Sequence, residues 1–335
     1  MSRRSLALIL FTVFSLLLTS CGGTATEAPG AEPELRLAAI FPGVITDADY
    51  NTLGYIGATE VQTDLGLDMA FSESVAVPDV ERVMREYIDN DYNVIFTHGG
   101  QFFSQTQTLA GQNPDKYFIA EFDDPAVDAP DNFWVIDRNF HVGFYALGVL
   151  AGHLTETGKI GYLGGLTLPF SYAEVHAIQQ ALADEGLTDE VELQTVWVGD
   201  FNDPTGAREL ADAMIADDVD VIIGSLNLGM LGVFEAAKSA DVTVHVTAKY
   251  TDKSGFAPEH YVTSVLYDWA GPLIDIVERI QNGETGGYYP LGFDTGVSLQ
   301  DPQNVPDDVR QRVMEVVQQL EAGEIEVEKN TEPTE

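Results

Sequence analysis

Residues 38–61 read AAIFPGVITDADYNTLGYIGATEV. The apolar run Leu37-Ala38-Ala39-Ile40-Phe41 predicts a buried strand, and helical spacing of Leu53, Ile56 and Val61 predicts a helix from about Thr52. Between them lies a loop with Asp47, Asp49, Tyr50 and Asn51. The carboxyl end of a strand feeding the amino end of a helix is where open α/β sheets place their ligands. Two readings of the loop stand side by side: Asp and Asn cap helices and make turns, and the same carboxylates and amide beside Tyr50 and Tyr55 suit a small polar ligand with a flat face. Both hold if Asp47 caps the helix so that Tyr50 and Asn51 face the ligand.

Working outward, short β-branched runs alternate with helical patterns. Strands are expected at 93–97, 116–120 and 132–136, with a helix over about 142–156. The cycle restarts with strands at 159–163, 191–198 and 220–223, each followed by a helix. Later strands are expected at 242–246 and 261–266, with helices near 270–281 and 306–322. This alternation means parallel sheet covered by helices on both faces. The reading is an α/β protein of two Rossmann-like lobes. The first lobe spans 35–157, with crossover segments at about 247–262 and the C-terminal region; the second spans 158–246 with part of 263–300. The acidic tail from Glu324 is expected to fray. Polar residues gather where strands end, at 47–51, 98–102, 121–124, 164–172, 200–203 and 225–229, and loops so placed would line one cleft between facing sheets.

Composition narrows the function. Of 335 residues, 45% are hydrophobic, and the formal net charge is −38. That excludes a nucleic-acid binder, which needs a basic face. The amino terminus, MSRRSLALILFTVFSLLLTSC, has two arginines, a short apolar run and small residues before Cys21, the one cysteine. Charge, greasy segment and small residues make an export signal at 1–20. The run falls short of the ~20 residues a spanning helix needs. Leu18-Thr19-Ser20-Cys21 resembles a bacterial lipobox, which implies acylation of Cys21. Residues 21–34 then form a Gly/Ala/Pro/Glu tether. The expected location is the extracytoplasmic face of a membrane, held by lipid.

Reactive constellations are missing. The six histidines show no metal-ligand spacing. Neither a phosphate-binding G-x-x-x-x-G-K-[ST] loop nor a G-x-S-x-G elbow occurs. No enzyme, metal or cofactor is expected. The cleft loops offer aromatics instead: Tyr50, Phe102, Phe103, Phe170, Tyr172, Phe201 and Trp269. A heteroaromatic ring held between two of them, with amides and carboxylates nearby, is the natural guest.

Several segments, in order, resemble the basic membrane lipoprotein family of solute-binding proteins, whose purine nucleoside receptors serve ABC importers. They are Asp47-Ala48-Asp49-Tyr50-Asn51 with Gly57, Val94–Gly99, Gly143–Ala151, Lys159–Gly165 with Pro169, Phe201-Asn202-Asp203-Pro204 and Thr263-Ser264-Val265. The chain departs from the family pattern at Val142, at Tyr250-Thr251-Asp252-Lys253 and at Leu266-Tyr267-Asp268-Trp269, the last of which is similar to a subgroup suited to free purine bases. The resemblance implies a hinged, type I periplasmic-binding-protein architecture closing over a purine nucleoside or base, with ABC permease subunits as partners. It also implies roles. Asn51 and Asp252 hydrogen-bond base or sugar, Tyr50 and Phe201 stack on the ring, Phe102 and Phe170 wall the pocket, and Asp123 takes sugar hydroxyls. Asn227 and Trp269 complete the expected lining. The alternatives are a receptor for a flavin or sugar, or a sensor not coupled to transport.

Overall fold

The computed structural model describes residues 34–334 with the exception of residue 127. The export signal, Cys21 and nearly all of the tether lie outside the described residues. The elements run β1 (Arg36–Ile40), α1 (Tyr50–Leu65), β2 (Asp68–Ser72), α2 (Val80–Asp89), β3 (Val94–Thr97), α3 (Phe103–Gln112), β4 (Tyr117–Phe122), β5 (Phe133–Asp137) and α4 (Phe140–Leu154). The series continues with β6 (Lys159–Gly164), α5 (Pro169–Asp184), β7 (Glu192–Trp197), α6 (Pro204–Ala216), β8 (Val221–Ser225), α7 (Met230–Ser239) and β9 (His245–Tyr250). It closes with β10 (Tyr261–Tyr267), α8 (Ala270–Gln281), β11 (Gly287–Pro290), β12 (Val297–Leu299) and α9 (Asp307–Glu321).

These strands form two six-stranded sheets, ordered β11-β5-β4-β3-β1-β2 and β12-β10-β9-β8-β6-β7. Every pairing is parallel except β10 with β12. The central strands β3 and β8 are buried along their whole length, as parallel sheet covered on both faces requires. Unbroken apolar runs such as Val94-Ile95-Phe96 therefore become interior strands, while β2 and β7 at the edges are partly exposed.

The chain passes from the first sheet to the second through α4, which is apolar almost all round and buried accordingly. Gly148 is needed there. A Cβ at that position would lie 2.9 Å from both Ile178 Cα and Ala181 Cβ of α5, so the two helices approach closely only because the side chain is absent.

Two expectations are corrected. Segment 247–262 adds no strand to the first sheet, because β9 and β10 are hydrogen-bonded within the second sheet; the loop between them reaches the first lobe at Asp49. The strand that returns to the first sheet is β11, paired in parallel with β5. Nor does the described tail fray. Ile325 and Val327 pack against the main core, and backbone groups of Glu326 and Glu328 bond to Gln180.

Candidate functional site

The carboxyl ends of the two sheets meet, and buried polar residues gather there on the strand ends, the loops that follow and the first turns of helices, among them Asp49, His98, Glu121, Arg138, Lys249 and Lys253. Asp47 shapes the first of these loops. Its carboxylate accepts from the backbone N–H groups of Asp49 (3.0 Å), Asn51 (3.1 Å) and Thr52 (3.0 Å) and from the Thr52 hydroxyl (2.9 Å). It therefore satisfies the free amides at the start of α1. Burial works against its charge, but these donors, led by the Asn51 amide, hold Asp47 below the usual carboxylate range.

The Asp47 cap sets Tyr50 at the first turn of α1, with its ring stacked on His98 at 3.9 Å. The Tyr50 hydroxyl donates to Glu121, and the other Glu121 oxygen meets His98 Nδ1. His98 Nε2 faces the Tyr50 carbonyl at 2.8 Å. A carbonyl can only accept, so Nε2 carries a hydrogen. Burial and the Glu121 charge push the Tyr50 phenol well above its ordinary value, so it stays a donor.

Arg138, just past β5, makes a two-point contact with Asp123, Nε at 2.9 Å and Nη2 at 2.5 Å. Burial disfavours its charge, but Asp123 and the neighbouring oxygens outweigh it, and the guanidinium stays charged. Asp49 is buried beside Lys253, which donates to it, and accepts from the Thr251 hydroxyl at 3.1 Å. Burial raises the Asp49 carboxyl despite the ammonium.

The second sheet contributes a matching buried group. Glu174 on α5 accepts from Ser225 (2.6 Å), Tyr162 (2.7 Å) and Lys249 Nζ (3.1 Å). Burial lowers the Lys249 ammonium, and Glu174 opposes that. Lys249 Nζ and the Arg138 guanidinium each lie 5.2 Å from the Phe170 ring centroid, within cation–π range. Phe170 in turn lies nearly parallel to Phe201, with centroids 6.1 Å apart and an interplanar angle of 19°. Gly165 makes room for this: a Cβ there would sit 2.2 Å from Phe201 Cδ1. The Phe201 carbonyl is held by the N–H groups of Asn227 and Gly229, both at 3.0 Å.

Tyr50, Asp123, Phe170, Phe201 and Asn227 thus lie on loops or helix starts at the sheet ends. Trp269 is also there, edge-on to Tyr50 at 5.4 Å and buried. Among the described residues, Trp269 Nε1 and Ser171 Oγ are buried without a hydrogen-bond partner.

Three expected lining residues are placed otherwise. Asn51 spends its side chain on the loop itself, donating to Asp47 at 2.7 Å and accepting from Gly43 N–H at 3.1 Å. Phe102 belongs to the core between the first sheet and α2 and α3, because a large apolar ring gains more inside than at a wet cleft. Asp252 is exposed and closes a turn, accepting from Ser254 N–H at 2.8 Å. Its neighbour Lys253 is the residue that turns inward.

Sequence reasoning missed Glu121, Arg138, Glu174, Lys249 and Lys253. The available signal was a charged residue near the end of a largely apolar strand, as in Tyr117-Phe118-Ile119-Ala120-Glu121 and Val246-Thr247-Ala248-Lys249. Such a charge must be paired or functional.

No helix among the described residues is long and apolar enough to cross a membrane. A family model described as ABC transporter substrate-binding protein, PnrA-like, matches residues 35–331. The chain is 24% identical over 315 residues to a purine-binding protein of Brucella abortus, covering 92% of this chain and 87% of that protein. It is 27% identical over 266 residues to a Haloferax volcanii protein named as an ABC transporter glucose-binding protein, covering 78% of this chain and 65% of that one. An ABC transporter solute-binding protein from Conexibacter woesei shares the fold, with a TM-score of 0.72 at 21% identity over 89% of this chain and 100% of that chain. The fold is therefore that of type I periplasmic solute-binding proteins, and the chain belongs to the PnrA-like family of ABC transporter substrate-binding proteins.

Proposed function

We propose that this protein is a lipid-anchored extracytoplasmic receptor, not an enzyme, that delivers a purine nucleoside or free purine base to an ABC permease. The observation that carries the purine reading is the near-parallel pair Phe170 and Phe201 beside the unpartnered Ser171 hydroxyl. A planar heterocycle gains by stacking on such faces, and its ring nitrogens or hydroxyls satisfy the buried donors. Kinship with a purine-binding protein supports the same reading. Asp123 and the Tyr50–Glu121 group would meet a ribose, and Trp269 would close the far wall. Ligand would then shift the open–closed population toward the form a permease recognises.

A sugar is the second reading. It is favoured by the Asp123–Arg138 pair, a polar grip of the kind that holds hydroxyls, and by the glucose-binding name of one relative. Mass spectrometry of the small molecule that co-purifies with the protein separates the two. A purine supports the first reading, and a hexose or pentose without a base replaces it with the second. Acylation of Cys21 is tested by the mass of the mature amino-terminal peptide.

A further inference from the structure

The C-terminal segment after α9 touches both halves of the protein. Gln180 of α5 grips its backbone at two points. Gln180 Nε2 donates to the Glu326 carbonyl at 3.0 Å, and Glu328 N–H donates to Gln180 Oε1 at 2.9 Å. Further along, His176 of α5 meets the Glu332 carbonyl at 3.0 Å. Helix α5 follows a strand of the second sheet and carries Phe170, Ser171 and Glu174.

Between these grips, Lys329 turns toward the first sheet. Its ammonium donates to Asp137 Oδ2 at 2.5 Å and to the Asp123 carbonyl at 2.7 Å. Asp123 follows β4 and Asp137 ends β5, neighbouring strands in register. The Asp137 side chain is fully buried, and its other donors are neutral: the Tyr288 hydroxyl at 2.5 Å and Asn139 N–H at 3.3 Å. Lys329 is therefore the counter-charge of a buried carboxylate. Through the Asp123 backbone it also fixes the residue that orients Arg138. Lys329 lines a small cavity together with Asp123, Phe140 and Phe170, so it reaches the edge of the candidate site.

We infer that segment 325–332 is a strap tying α5 to the ends of β4 and β5, and that Lys329 is a positioning residue for ligand binding. It holds Asp123 and Arg138 at the spacing from Phe170 that the bound ligand needs. The ligand side of this inference rests on the proposed function; the strap itself does not.

The test uses the full chain with Lys329→Met, Lys329→Arg and the double variant Asp137→Asn/Lys329→Met. Guanosine, inosine, adenine and glucose are titrated by calorimetry, and exchange of backbone amides is followed by mass spectrometry. Lys329→Met is expected to weaken the bound probe about tenfold or more, because the Asp123 carbonyl loses its donor and Asp137 is left buried and uncompensated. The double variant recovers most of that loss, since no buried carboxylate is left unpaired. Lys329→Arg stays close to wild type. Equal affinity for Lys329→Met and wild type overturns the positioning role, even if the melting temperature falls. If no probe binds the wild-type chain, the proposed ligand is wrong and exchange decides the strap. Faster exchange in Lys329→Met at both 123–126 and 324–332 upholds it, and unchanged exchange at 123–126 overturns it.

Discussion

Lys249 and Glu174 form an ion pair in which neither side chain is exposed to solvent, between β9 and α5. The carboxylate is further supported by Tyr162 and Ser225, which both donate to its other oxygen. Replacing Lys249 by Met leaves Glu174 buried and uncompensated, which costs about 3–5 kcal/mol. The double variant Glu174→Gln/Lys249→Met is expected to be less destabilised than Lys249→Met alone. Denaturant titration of wild type, Glu174→Gln, Lys249→Met and the double variant checks this, and additive losses would show that the two groups are not coupled.

Asp47 shapes the loop that carries Tyr50. Asp47→Ala removes the acceptor of three backbone amides and the Thr52 hydroxyl, with an expected loss of about 1–2 kcal/mol. Because Tyr50 leans on this loop, ligand affinity falls as well. Asp47→Asn keeps part of the cap and falls between the two, as read by thermal unfolding.

His141 at the start of α4 gives a pH dependence. Burial, aided by the Lys329 charge, lowers its pKa from 6.5 to about 4. Between those values the unfolded chain binds a proton that the native imidazole does not, so stability falls as pH drops from about 6.5 to 4. The group contributes no slope above that window, and its full effect is about 3 kcal/mol. His141→Asn is expected to flatten the stability profile between pH 6.5 and 4 relative to wild type. A variant profile parallel to that of wild type over this range would contradict the assignment.

A formal charge of −38 on 335 residues means strong self-repulsion in the native state at low ionic strength. Raising salt to about 0.5 M shrinks the screening length to a few ångströms. The melting temperature is expected to rise between dilute buffer and that concentration. A falling melting temperature would show that the surface ion pairs outweigh the repulsion.

Most of the fold was legible because the interior strands announce themselves. Runs such as Val94-Ile95-Phe96 and Val221-Ile222-Ile223 are apolar without interruption, and a helix period follows each one. The edge strand β2 and the short strands β11 and β12 were not legible. Gly287-Tyr288-Tyr289-Pro290 has neither alternation nor length, and β11 becomes a strand only by pairing with β5. The site divides in the same way. Asp47 could be read as a cap from its place before a helical pattern, whereas the inward turn of Lys253 and the outward turn of Asp252 depend on a loop geometry that adjacent residues do not encode. Phe102 and Phe170 look alike in sequence, each an aromatic in a loop at a strand end. Packing alone separates them, with one sealed under the first sheet and the other within cation–π reach of Arg138 and Lys249. Lys329 sits in an acidic tail whose composition suggests fraying, and its partner Asp137 is 192 residues away.

Calorimetric titration of guanosine, inosine and adenine into wild type and Phe201→Ala, with glucose alongside, bears most directly on the receptor reading. The expected result is saturable binding of at least one purine to wild type, weakened about tenfold or more in Phe201→Ala, as loss of one stacking face predicts. Binding of glucose with no purine heat would contradict the account, as would a purine affinity that Phe201→Ala leaves unchanged.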